Sequence, residues 1–147
     1  MIQRIQTLYV FISLVLMVLL LVLPFAEIVD NGNIYQFDKL GISGGAGQIQ
    51  NGWSIGALIS IIVLLHLVVI NSYKKRIRQM RLLVFSILLM IGLFGMFYFF
   101  SYFSFDNAQI SFKIVVAFPL VAIILDYLAI RAIGKDEALI RSIDRIR

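Results

Sequence analysis

Apolar residues run almost unbroken through four stretches of the chain, and polar residues gather between them. The stretches cover about residues 7–26, 53–73, 82–104 and 112–133. A bilayer core about 30 Å thick needs roughly 20 apolar residues in a helix, so each stretch is long enough to span. Each is apolar around its whole circumference, as helices are that face lipid or lie buried in a bundle. The runs lack the alternation of barrel strands, so helices follow rather than a barrel. The pattern predicts an all-α membrane protein of four transmembrane helices forming a single domain. The first span is expected to be retained, because its apolar run exceeds the usual h-region of a signal peptide and no clean small-x-small site follows it.

The polar positions give direction. Lys74, Lys75, Arg76, Arg78 and Arg81 fill the connection between spans two and three. Arg131, Lys135, Arg141, Arg145 and Arg147 lie at the end of span four and after it, and Arg4 precedes span one. The two remaining loops hold only Lys39 and Lys113. Basic residues stay cytoplasmic, which predicts an N-in, C-in arrangement with both ends on the cytoplasmic side.

The first outward loop, about residues 27–52, carries its own pattern. Glu27-Ile28-Val29 and Ile34-Tyr35-Gln36-Phe37 are short strand-like runs around Asp30-Asn31-Gly32-Asn33. Asn-Gly between such runs signals a β-hairpin, since both residues tolerate positive φ. The glycine-rich segment 41–52 reads as a flexible connection. Span three ends in Phe97-Tyr98-Phe99-Phe100, followed by Tyr102, Phe103 and Phe105. With Trp53 at the same level, these read as an aromatic girdle, the alternative being a pocket for a quinone or lipid. Gly92 with Gly95, and Gly56 with Ser60, read as small-residue contacts between helices.

Two groups stand out inside the spans, where ionisable side chains suggest function by default. Asp126 lies roughly 7–8 Å below the Arg131 end of span four, and His66 about 12 Å below the Lys74 end of span two, at 1.5 Å per residue. Ala122, Asp126 and Ala129 share one helical face that should point into the bundle, and Pro119 should bend that helix. His66 and Asp126 would meet if spans two and four are neighbours. The preferred expectation is a structural hydrogen bond or separate satisfaction by Arg4, Asn71 or backbone carbonyls. The functional alternative is a proton-responsive pair, since imidazole titrates near physiological pH. Spans one and three add only Ser13 and Ser86.

Composition narrows the classes. The chain of 147 residues is 61% hydrophobic and 14% charged, against about 45–50% and 25% in soluble domains. Zero cysteines exclude a disulfide framework, thiolate metal sites, thiol redox chemistry and lipoprotein acylation. Bis-His haem would need a second histidine from a partner or another copy, and a zinc site needs more ligands than one His and one Asp. Small multidrug exporters carry an acidic residue in their first span, and this span has none. No serine lies in a nucleophile motif, so neither an enzyme nor a cofactor is expected. The net charge of +5 sits in clusters beside the spans, which fits anionic headgroups and leaves no platform for nucleic acid.

After Gly134, Leu139, Ile143 and Ile146 fall on one helical face, while Glu137, Arg141, Asp144 and Arg145 lie opposite. This predicts a C-terminal amphipathic helix on the inner membrane surface. Arg76, Arg78, Arg141, Asp144, Arg145 and Arg147 are candidate contacts to that surface or to a cytoplasmic partner. The opening Met1-Ile2-Gln3-Arg4-Ile5-Gln6-Thr7-Leu8-Tyr9 and the closing Leu128-Ala129-Ile130-Arg131-Ala132-Ile133, Lys135-Asp136-Glu137 and Ser142-Ile143-Asp144-Arg145-Ile146-Arg147 carry a resemblance. The chain resembles small four-span membrane proteins of Bacteroidota classed as a domain of unknown function. The resemblance implies a Gram-negative inner membrane and supplies no activity. The functional expectation is a non-enzymatic accessory or scaffold subunit, with other membrane subunits or further copies of itself as partners. The alternatives are a small oligomeric transporter or channel using Asp126 and His66, and a lipid or quinone binder.

Overall fold

The computed structural model describes residues 2–30, 32–44, 47–73, 75–102 and 109–144. Among these, four long helices form the body: α1 (Ile2–Val22), α2 (Trp53–Asn71), α3 (Arg76–Tyr102) and α4 (Phe118–Asp144). All four are long and apolar enough to cross a membrane. Their outward faces remain apolar, with Phe11 and Val18 on α1, Leu64 on α2, Leu88 on α3, and Leu120 and Ile124 on α4 exposed. A soluble protein rarely exposes apolar area on this scale, which agrees with four helices of membrane-crossing length and composition.

The inward positions obey one spacing. They are Gln6, Val10, Ser13, Met17 and Leu20 on α1, and Ile55, Ile59, Ile62, His66 and Val69 on α2. On α3 they are Gln79, Leu83, Ser86, Met90, Leu93, Phe97 and Phe100, and on α4 Pro119, Ala122, Asp126, Ala129 and Ile133. Steps of three and four alternate throughout, the seam of left-handed, near-antiparallel packing. Each helix packs on its neighbours in sequence, and α4 closes the ring against α1 in the most extensive of these contacts. Spans two and four are therefore diagonal across the bundle, not adjacent as the meeting of His66 and Asp126 was expected to require.

At one end the two loops build a five-stranded antiparallel sheet in the order β4-β3-β2-β1-β5. Strands β1 (Ala26–Asp30) and β2 (Asn33–Asp38) form the expected hairpin, with Asp30 opposite Asn33 and Gly32 at φ +81°. The flexible connection expected over 41–52 is instead β3 (Gly41–Gly44) and β4 (Gly47–Asn51). Glycine there serves close approach: Gly41 has φ +117°, and a Cβ on it would meet Gln50 O and Gly52 N. The last strand, β5 (Gln109–Phe112), comes from the second loop and pairs with β1, where Lys113 Nζ reaches Glu27 Oε1 at 2.8 Å. Span four therefore does not begin at Phe112. A 3₁₀ turn (Ile114–Ala117) leads into α4.

Pro119 consequently stands in the first turn of α4, where a missing N–H costs nothing, and not at a bend in mid-helix. The tail is also corrected. No separate surface helix follows Gly134, because α4 continues to Asp144. The side chain of Gln6 holds this extension against α1 by donating to Asp136 Oδ2 at 2.6 Å. The expected small-residue contacts differ too. Gly92 and Gly95 are exposed with open space where a Cβ would stand, and Gly56 abuts the Lys39 carbonyl, not another helix.

The sheet sits on the bundle through aromatics. Phe25 and Phe37 meet edge-to-face at 5.3 Å, and Phe97 lies 4.9 Å from Phe25. Phe37 stacks on Phe100 at 6.1 Å. Half the aromatic run at the end of α3 is thus core, while Trp53, Tyr98, Phe99 and Tyr102 remain exposed as a rim. Phe103 and Phe105 lie outside the described residues.

Candidate functional site

Midway along the bundle, a seam position on each helix breaks the apolar interior. Ser13 lies between Val10 and Met17, His66 between Ile62 and Val69, Ser86 between Leu83 and Met90, and Asp126 between Ala122 and Ala129. All four polar side chains have zero exposure. The same spacing that faces a seam inward on every helix brings them to one level, so the layer is a product of register. An apolar cluster seals it on either side: Val10, Val69, Leu83, Ala129 and Ile133 toward the chain termini, and Met17, Ile62, Met90 and Ala122 toward the sheet.

His66 is the hub. Its Nε2 stands 2.9 Å from Ser13 Oγ, 3.1 Å from Asp126 Oδ2 and 3.3 Å from Asp126 Oδ1. Its Nδ1 stands 2.9 Å from Ile62 O and 3.4 Å from Ser86 Oγ. A carbonyl oxygen only accepts, so Nδ1 carries a hydrogen and donates to Ile62. Nε2 then has two complementary states. Either it also carries a hydrogen and donates to an ionised Asp126, or it accepts from a protonated one. In both states the pair is neutral overall and shares one proton. A nitrogen lone pair facing the carboxylate with no proton between them would be repulsive in an interior sealed by apolar side chains.

The arrangement joins the two groups that the sequence offers as a candidate pair, and it does so across the bundle axis. Asn71 is occupied elsewhere, donating to Leu67 O. The serines were visible only as lone polar residues in spans one and three; their three-four spacing from buried neighbours is the signal that aligns them with His66. At the end remote from the sheet, Arg76 is half-buried as the first residue of α3, and Arg78 is exposed. Arg145 and Arg147 lie outside the described residues, as do the side chains of Arg141 and Asp144 in α4. Among the described residues, no group of three His, Asp or Glu could hold a metal ion.

Fold and site together define a bundle of four helices long and apolar enough to cross a membrane, capped by a small antiparallel sheet and pinned by one internal polar layer. The chain belongs to the family described as Domain of unknown function (DUF4293), whose profile matches residues 2–146. No curated protein and no solved structure matches it.

Proposed function

We propose that this is a non-enzymatic inner-membrane protein, N-in and C-in, that serves as an accessory or scaffold subunit of a larger membrane complex. The observation that carries this reading is the closure of the polar layer. Ser13, His66, Ser86 and Asp126 direct their hydrogen bonds at one another and at Ile62, and none is exposed. A substrate path needs polar groups held open along the bundle, whereas these are sealed by apolar residues above and below. What the protein offers to others lies at its two ends. One end presents the outer face of the sheet, where Val29 and Ile34 are exposed beside Gln36. The other presents the basic connection around Arg78. Buried polar networks fix register in bundles, which is the property a scaffold needs.

The test is affinity purification of the tagged protein from native membranes in mild detergent, with mass spectrometry of the eluate. The expected result is stoichiometric retention of other membrane subunits. Elution as a homo-oligomer with nothing attached would refute the scaffold reading. One observation favours a second reading, the transporter using Asp126 and His66: the two form a direct 3.1 Å contact in the interior, the arrangement a proton relay would also need.

A further inference from the structure

Opposite the sheet, where α1 begins and α4 ends, a cavity of about 470 Å³ opens between α1 and the start of α3. Leu8 and Phe11 form its apolar wall and are half exposed on the outward face of α1, so the cavity is continuous with the lipid-facing surface. Gln6, Tyr73, Arg76 and Gln79 form its polar wall. The size and the mixture of apolar walls with a few convergent polar groups are those of a small-molecule site.

The polar wall contains an unmet demand. Arg76 Nη1 is buried and has no hydrogen-bond partner. A guanidinium nitrogen only donates, and leaving a charged donor buried and unpaired is costly. The nearest acidic groups do not meet that demand. Asp136 is engaged by Gln6 Nε2 at 2.6 Å, and Glu137 lines a separate cavity of about 420 Å³ on the other side of Arg76. Lys75 and Arg78 are exposed and line that second cavity together with Arg76, which belongs to both.

We propose that this cavity binds an acidic phospholipid, with the phosphate on Arg76 and an acyl chain lying along Leu8 and Phe11. Arg matches phosphate through a bidentate fork. The apolar wall selects an amphiphile over a free anion, and Lys75 and Arg78 repel the ammonium of a zwitterionic headgroup. The inference rests on immersion of the four helices in a bilayer, not on whether the protein has subunit partners.

The experiment uses the full-length protein, delipidated in a neutral detergent. Thermal unfolding and native mass spectrometry are followed while phosphatidylglycerol, phosphatidylcholine or inorganic phosphate is added. Phosphatidylglycerol is expected to raise the melting temperature and to remain bound, with the other two giving neither effect. Arg76→Gln should weaken phosphatidylglycerol binding roughly tenfold, the loss of one charged hydrogen bond, while Arg81→Gln leaves it intact. If Arg76→Gln fails to accumulate, Arg76→Lys replaces it and should weaken binding while keeping the charge. An equal response to phosphatidylcholine, an equal response to inorganic phosphate, or undiminished binding by the Arg76 variants would overturn the proposal. Co-purification of partners moves independently of all these outcomes, so failure here is distinguishable from failure of the scaffold reading.

Discussion

His66 and Asp126 are two polar groups that are tolerable only together. Removing the imidazole alone leaves a carboxylate sealed between apolar layers, and breaking a buried pair in this way costs about 3–5 kcal/mol. Replacing both with leucine removes both unmet demands at once. Thermal unfolding in detergent should therefore show His66→Leu and Asp126→Leu each strongly destabilised. The double variant should recover much of that loss, giving a coupling energy on the order of 1–3 kcal/mol. Additive losses would mean that the 3.1 Å contact does not couple them. Ser13→Ala should cost less, about 1 kcal/mol, as one hydrogen bond to the ring is lost. That the two ionisable groups stand at nearly one level was legible from the helical rise. The diagonal meeting was not, because helix order around a ring is set by contacts between spans and not by any one span.

Among the elements, the sheet separates what local sequence specifies from what distant pairing specifies. At Gly41 the backbone sits at φ +117° and a Cβ would collide with Gln50 O and Gly52 N, so Gly41→Ala opposes both conformation and space. At Gly32, φ is +81° but nothing lies within 4 Å, so alanine there pays only the left-handed penalty of about 1–2 kcal/mol. Limited proteolysis of the loop should therefore accelerate sharply in Gly41→Ala and mildly in Gly32→Ala. Equal sensitivity would argue against the packed crossing of Gly41 and Gly52. The β1–β2 hairpin was legible because Asn-Gly is a local signal. Strands β3 and β4 were hidden by glycine, which weakens strand propensity wherever it also permits close approach. Strand β5 was hidden because Ile110 and Phe112 merge with the apolar run of span four, and its partner β1 lies on the other loop. The tail misled for a related reason. Gly134 is a modest local penalty, and the bond from Gln6 to Asp136 outweighs it.

Taken as a whole molecule, the protein has an apolar girdle around four helices, a sheet at one end and basic groups at the other. Its topology is open to a clean test, because the chain contains no cysteine. A single cysteine placed at Ser43 in the sheet should react with an impermeant maleimide in intact spheroplasts. One placed at Arg78 or Ser142 should react only after permeabilisation. The reverse pattern would invert the N-in, C-in assignment. The four long apolar helices were legible from hydropathy, since runs of about 20 apolar residues have the length a bilayer requires. What the molecule recognises was not, because partner contacts are spread over exposed side chains with no periodic signature.

The central claim is that the sealed layer of Ser13, His66, Ser86 and Asp126 holds the bundle together and moves nothing. Proton flux into proteoliposomes of the purified protein, driven by an imposed pH gradient and read with an internal pH dye, tests it most directly. The account predicts flux no greater than in protein-free vesicles, with no change in Asp126→Asn. Flux above that background which is lost in both Asp126→Asn and His66→Ala would contradict it, and would make the pair a working proton site.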